Sequence, residues 1–273
     1  MKVNYDEINN SIIEEIHNRY NMTGKRVLDI GCGTRGMVRL IAEKYNPEYI
    51  NGIDLGIQTE QGVNFKVQSG DARRIPFDDN TFDLVYSIST FEHINRIEET
   101  LAEVRRVLKP YGKFFAVFAP VWTSVCGYHA YSNKSAFSER AIKRGDDKDE
   151  EIIYAIPPWG HLFMSPEEMA QHLRTQGIDE HRIDVINRFI YDDDGINRYP
   201  ASTIKNWIMN CNMIVRDYQE RVTFSRNWAL DKNGPSELTP DIIKKLSNTK
   251  YQLNEIGIVY MKFELEKYEA FPS

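Results

Sequence analysis

The segment VLDIGCGTRG, residues 27–36, joins an apolar strand to a glycine-rich turn that opens a helix. Gly31, Gly33 and Gly36 satisfy the spacing G-x-G-x-x-G, which is typical of turns that bind nucleotide-like ligands. Glycine lets the backbone turn tightly there, and the first N–H groups of the following helix are unpaired. Asp29 lies two residues before the turn and would repel a pyrophosphate, so the segment favours a ligand that carries positive charge.

Three further segments follow the turn along the chain. Asp54 ends a second apolar strand in INGIDLG, Asp71 and Ala72 lie in QSGDARRIPF, and FDLVYSISTFEHI covers residues 82–94. Together with VLDIGCG, these segments resemble the class I S-adenosylmethionine (SAM) methyltransferases over about residues 25–120. The resemblance implies SAM as the cofactor, S-adenosylhomocysteine as the product, and methyl transfer to an O or N of a small acceptor.

The resemblance also implies roles for the residues that match the family's motifs. Asp54 would bind the ribose hydroxyls, and Asp71 would receive the adenine amino group, with Ala72 behind the ring. Arg35 stands where the family usually has glycine; it can shape the turn, reach the cofactor carboxylate or lie in solvent. The remaining predicted cofactor residues lie in the turn and at the strand ends, and are Asp29, Gly31, Cys32, Gly33, Leu55 and Ser87.

Alternating apolar segments predict an α/β fold with a doubly wound, Rossmann-like sheet of seven strands, the last one antiparallel. The segment between Asp54 and Val63 is too short for a crossover helix and predicts a turn instead. Predicted strands cover residues 26–30, 49–53, 63–68, 82–88, 113–120, 182–190 and the segment IGIVYMKFELEK. Predicted helices cover residues 5–20, 36–45, 97–108, 165–177, 201–223 and 239–247.

We expect a single domain over residues 1–273, with insertions at about 121–163 and 191–248 that form a lid. Aromatic side chains in the first insertion are predicted to bind the acceptor, and they are Trp122, Tyr128, His129, Tyr131 and Trp159. Their mixture suits a small polar molecule with a flat or sugar-like face, such as a precursor of a surface glycan.

Two histidines are candidates for catalysis. His93 follows Glu92 in the loop after the fourth strand, which borders the methyl group in the resembling enzymes, and neutral imidazole can accept a proton near pH 7. His161 in PPWGHLF lies in a rigid loop before a capped helix and is the second candidate. A structural EH pair, a packed loop histidine, and catalysis by positioning alone are the alternatives.

Composition limits the partners and the compartment. The net charge of -6, with both signs interspersed, provides no basic stripe for nucleic acid. We expect a cytoplasmic protein without a membrane partner, because the sequence has no long apolar run and no signal-peptide pattern. Its three cysteines fit a reducing compartment.

Other possibilities follow from the same residues. The acidic run at residues 192–194 lacks the spacing of a calcium loop, so no metal site is predicted. The glycine spacing taken alone would also suit an NAD-dependent oxidoreductase. A SAM-binding protein without catalytic activity is a third possibility. The identity of the acceptor and the oligomeric state are left open.

Overall fold

A mixed sheet of eight strands runs through the residues that the computed structural model describes, which are 5–33, 36–128, 155–192, 195–225 and 236–269. The strands are β1 (Arg26–Ile30), β2 (Tyr49–Asp54), β3 (Glu60–Gln61), β4 (Phe65–Ser69), β5 (Phe82–Ile88), β6 (Leu108–Phe118), β7 (Ile214–Val222) and β8 (Ile258–Glu266). Their order across the sheet is β3-β4-β2-β1-β5-β6-β8-β7.

The centre of the sheet is parallel. Strand β1 pairs with β2 and β5, β2 pairs with β4, and β5 pairs with β6, all in parallel. Strands β3 and β8 run antiparallel to their partners β4 and β6. The predicted Rossmann-like α/β fold with a late antiparallel strand is therefore confirmed. The carboxyl ends of β1, β2, β4, β5 and β6 meet at one edge, where ligands of such sheets bind.

Helices lie before and between these strands along the described part of the chain. They are α1 (Tyr5–Tyr20), α2 (Met37–Tyr45), α3 (Ile97–Val107), α4 (Gly160–Phe163), α5 (Pro166–Thr175), α6 (Glu180–Asn187), α7 (Ala201–Met209) and α8 (Pro240–Leu246). The predicted cap of α5 is confirmed, because Ser165 Oγ accepts from Glu168 N at 3.2 Å and Glu168 Oε2 accepts from Ser165 N at 2.8 Å. None of the described helices has the length and apolar character needed to cross a bilayer.

The strand predicted at residues 182–190 is wrong, because this segment forms α6 and a π-helical turn, Arg188–Asp192. Asp179 caps the helix by accepting from Arg182 N at 3.0 Å. The buried isoleucines of the segment, Ile183, Ile186 and Ile190, follow the spacing of one helical face rather than the alternation of a strand.

The long helix predicted at residues 201–223 is also wrong, because α7 ends at Met209 and the chain continues as β7. Asn212 adopts a left-handed backbone with φ 56° in the turn between them. Strand β7 supplies one of the strands that the sequence did not predict, and β3 supplies the other. The sheet therefore has eight strands instead of seven. The segment between β2 and β4 contains no helix, as predicted.

The chain divides into two compact units. Unit 1 contains Met1–Ala119, Thr203–Glu220 and Met261–Ser273, and unit 2 contains Pro120–Ser202 and Arg221–Tyr260. In the core of unit 1, Phe91 contacts Phe114, Phe118 and Phe263, with ring centroids 5.7 to 5.9 Å apart. Tilted and edge-on pairs at these distances stabilise beyond the area they bury.

The core of unit 2 is built around buried aromatic residues. Trp159, Trp122 and Tyr128 are at most 4% exposed and pack with isoleucines of α6. Trp159 Nε1 donates to the carbonyl oxygen of Ile256 at 2.8 Å, and Trp122 Nε1 donates to the Tyr251 hydroxyl at 3.0 Å. Each indole N–H therefore has the partner that a buried donor needs.

Candidate cofactor site

The glycine turn after β1 is closely packed on one side. Gly31 has φ +80°, and a Cβ atom added there would lie 2.0 Å from Thr90 Oγ1. Only glycine tolerates this backbone and this contact together. Thr90 follows β5, so the turn after β1 and the loop after β5 fit against each other at the carboxyl edge of the sheet.

Asp54 at the end of β2 is directed towards the same turn. Its Oδ2 accepts from Gly33 N at 2.8 Å, and its Oδ1 accepts from Leu55 N at 2.7 Å. The side chain of Leu55 is 68% exposed beside it. The fold thus brings the second predicted acid to the glycine turn, and it leaves an apolar side chain open to a ligand at this edge.

Asp29 is the buried acid of the site. It is 4% exposed and lies opposite Tyr86 of β5 and Gly52 of β2 in the strand registers. Burial raises the pKa of Asp29 to about 7; the nearby Tyr86 hydroxyl lowers it and the Asp54 carboxylate raises it. Within the described parts of the chain, no cationic side chain pairs with Asp29. This carboxyl suits a ligand that brings its own positive charge.

Cys32 and Ser87 are small, buried residues at the ends of β1 and β5. A Cβ atom added at Gly52 would lie 2.8 Å from Cys32 Sγ, so the thiol packs directly on β2. Burial raises the pKa of the Cys32 thiol and keeps it from acting as a thiolate. Ser87 Oγ donates to the carbonyl oxygen of Ile30 at 3.0 Å and links the ends of β1 and β5.

Asp71 follows β4 and is engaged by its neighbour. Arg73 Nε donates to both carboxylate oxygens at 2.9 and 3.0 Å, and Nη2 donates at 2.6 Å. These hydrogen bonds hold the pKa of Asp71 below its ordinary value. Ala72 is half-buried next to it, and Gly70 N donates to Asp54 O at 3.0 Å, so the ends of β4 and β2 meet as expected. An ionised carboxylate with further lone pairs can still accept from a ligand amine.

The loop after β5 carries one of the two candidate histidines. His93 is exposed at the end of a 3₁₀ turn, Phe91–His93, and its N–H donates to Thr90 O at 2.8 Å. Its position at the carboxyl edge agrees with the role predicted for it and does not test that role.

The second candidate histidine lies in unit 2. His161 is 5% exposed, its Nε2 is 2.8 Å from the carbonyl oxygen of Trp122, and its ring stands edge-on to Trp122 and Tyr128. Burial lowers the pKa of His161 to about 4, so its imidazole is neutral at pH 7. These contacts are typical of a packed histidine. Arg35, His129 and Tyr131 lie outside the described residues.

Two residues that the sequence did not single out belong to the neighbourhood of the site. Tyr86 reaches Asp29 through the register of β5 on β1, which no sequence pattern reveals. Glu92 is 2% exposed although a charged residue in a loop predicts exposure. Its signals in the sequence are its place directly after Phe91, in the loop that follows β5, and the EH pair that it forms with His93.

Comparison with known proteins agrees with this geometry. Residues 28–116 match the family described as a methyltransferase domain. The chain is 36% identical over 173 residues to a sterol 24-C-methyltransferase of Gibberella zeae, covering 56% of this chain and 44% of that protein. It is 34% identical over 174 residues to a fatty-acid O-methyltransferase of Mycolicibacterium smegmatis, covering 55% and 61%. The chain thus spans about half the length of these curated relatives.

Among solved structures, the chain is similar in fold to the (4+2)-cyclase SpnF. The TM-score is 0.50 at 14% identity, over 95% of this chain and 81% of that one. At this identity the likeness supports the fold alone.

Proposed function

We propose that this chain, whose residues 28–116 match a methyltransferase domain, is a class I SAM-dependent methyltransferase that transfers a methyl group from SAM to a small-molecule acceptor. The observation that carries the proposal is the arrangement of Asp29 and Asp54 around the glycine turn, within the matched segment. A buried acid without a cationic partner in the described residues, next to a glycine turn, suits a cationic nucleoside.

Each of these residues at the carboxyl edge would contact a different part of the cofactor. Asp54 would hold the ribose hydroxyls, since its carboxylate is already oriented by Gly33 N and Leu55 N. Asp71 and the exposed Leu55 side chain would contact the adenine, and Asp29 would attract the ammonium and sulfonium charge. When bound, SAM supplies an electrophilic methyl carbon. The chain supplies positioning, which can contribute about 7 to 11 kcal/mol.

We assign the proton-accepting or orienting role to His93 before His161. His93 is exposed at the carboxyl edge, where an acceptor hydroxyl or amine can reach it. His161 is buried, and its Nε2 is engaged by a backbone carbonyl, so its use would require the core of unit 2 to open. Loss of a general base costs about 10²- to 10⁴-fold in turnover, whereas loss of a packing histidine lowers stability first.

The acceptor is proposed as a small molecule with a reactive hydroxyl or amine. The sugar-like acceptor predicted from aromatic residues finds no added support, because the described rings Trp122, Tyr128 and Trp159 face the core of unit 2. The named relatives act on sterols and on fatty acids. Sterol carbon atoms and fatty-acid carboxylates therefore join sugars as acceptors to be tested.

The proposal is tested by the formation of S-adenosylhomocysteine. The full chain is incubated with SAM and, in separate arms, with a fatty acid, a sterol and a sugar nucleotide, and both products are followed by mass spectrometry. We expect methylated product in one arm, with SAM affinity unchanged in His93→Ala. That variant should be slower by about 10²- to 10⁴-fold where the acceptor must lose a proton, whereas a fatty-acid carboxylate is already ionised and should show no such loss. SAM binding without product in any arm would favour the non-catalytic alternative. Normal turnover of His93→Ala would leave catalysis to positioning.

A further inference from the structure

Glu92 is a buried carboxyl in the 3₁₀ turn between β5 and α3. It is 2% exposed, and its carboxyl accepts from the backbone N–H of Glu92 itself and from that of Ala119, the first residue after β6. The other oxygen, Oε2, has no hydrogen-bond partner among the described residues. An ionised carboxylate in such a place would carry an uncompensated buried charge.

The surroundings of this carboxyl are apolar. The preceding ring, Phe91, packs on Phe114, Phe118 and Phe263. Lys262 and Glu264 of β8 alternate with Phe263, so their side chains leave the opposite face of the sheet. The charged groups that follow in the sequence are exposed, and these are His93, Arg96, Glu98 and Glu99. Within the described chain, no charged side chain acts on Glu92.

The same loop is fixed at its other end by the glycine turn. Thr90 occupies the space above Gly31, and Ser89 adopts a left-handed backbone with φ 51°. Such a backbone is retained only where the surroundings determine it strongly. The loop therefore reaches from the turn after β1 to the end of β6, with Thr90 as its first attachment and Glu92 as its second. His93 is the next residue after the second attachment.

We propose that Glu92 is a positioning residue that works as a neutral carboxylic acid: it ties the turn Phe91–His93 to the end of β6 and thereby sets the place of His93. The proposal rests on the proposed function only for what His93 does with the acceptor. It predicts that loss of the Glu92 proton moves His93, and that glutamine, a neutral group of the same shape, can replace glutamate.

Burial sets the pH range in which Glu92 loses its proton. It raises the pKa of Glu92 to about 8, against the opposing effect of the two backbone N–H donors. The carboxyl is therefore largely neutral at pH 7, and it ionises just above that pH. The ring of His93 follows one residue later and should report the change.

The experiment follows the histidine ring by NMR across pH 5 to 10 in the full chain labelled with ¹³C-histidine. The signal of His93 is identified by its loss in His93→Ala. In the wild-type chain we expect an inflection of this signal near pH 8 besides that of the ring itself. Glu92→Gln should lack that inflection, and Glu98→Gln, an exposed change on α3, should keep it.

The inference is overturned if Glu92→Gln shows the same inflection as the wild type, if the wild type shows none, or if the glutamine variant is unfolded. Binding of S-adenosylhomocysteine is measured on the same samples. Wild-type chain that does not bind it contradicts the proposed function, while the NMR result still decides the role of Glu92.

Discussion

Asp29 is the residue on which the proposed cofactor recognition depends most strongly. Its carboxyl is buried beside Tyr86 and Asp54, and burial raises its pKa to about 7. Burial at the glycine turn thus destabilises the charged form of this carboxyl, and a bound cationic ligand would stabilise that form. Its place two residues before Gly31 could be predicted from sequence, because the strand and the turn adjoin. Its contact with Tyr86 could not, because the register of β5 on β1 is a tertiary property.

The affinity of the wild-type chain for SAM should rise between about pH 6 and pH 8, because ionised Asp29 attracts the ligand and neutral Asp29 does not. Asp29→Asn should bind more weakly and show a flatter profile. Isothermal calorimetry at three pH values measures this, with Asp78→Asn, an exposed acid, as the control. A rise of equal size in Asp29→Asn would assign the pH dependence to another group.

The same group gives a folding prediction of fixed sign. Its folded pKa lies above that of the unfolded chain, so the free energy of unfolding falls as the pH rises from about 4 to about 7 and then levels. Asp29→Asn should remove at most about 4 kcal/mol of this loss, at about 1.4 kcal/mol per unit of pKa. Urea unfolding at pH 5 and pH 8 checks the sign. The prediction would be contradicted if the free energy of unfolding of the wild-type chain rose from pH 5 to pH 8 while that of Asp29→Asn stayed the same.

At the scale of elements, the junction of β1 with the loop after β5 shapes the site. Gly31→Ala should destabilise the chain, because it adds a Cβ atom at φ +80° and forces that atom onto Thr90. Gly24→Ala is the matched control, since Gly24 has φ +69° and nothing within 4 Å of the added atom. We expect Gly31→Ala to cost more than the control by about 1 to 3 kcal/mol in urea unfolding. Equal losses of stability in Gly31→Ala and Gly24→Ala would show that the Thr90 side chain moves aside without cost.

Elements could be predicted where one local signal dominated. Strands β1 and β5 are short apolar runs bounded by polar residues or glycine, and α5 carries a capping box. Their bounds could therefore be predicted from the residues themselves. The segment of α6 mixes isoleucine with polar residues, and β-branched residues misled the prediction towards a strand. Strand β7 was missed because its half-buried pattern lacks strict alternation, so it read as the end of α7.

At the scale of the whole molecule, the order of the strands decides which residues meet. Asp29, Asp54 and Asp71 are separated in sequence, but β1, β2 and β4 are neighbours, so the three acids lie at one edge. The family resemblance allowed that arrangement to be predicted. Burial of Glu92 and of the rings in unit 2 could not be predicted, because burial depends on what packs against a loop and not on the loop's composition.

The most direct test of the account is calorimetric titration of the full chain with SAM, S-adenosylhomocysteine and NADH. We predict binding of the first two ligands and no binding of NADH. Asp54→Ala should weaken binding by about 1 to 3 kcal/mol, since it removes the carboxylate held by Gly33 N, and Asp78→Ala should bind like the wild type. No heat with either sulfur ligand, or binding of NADH alone, would contradict the account.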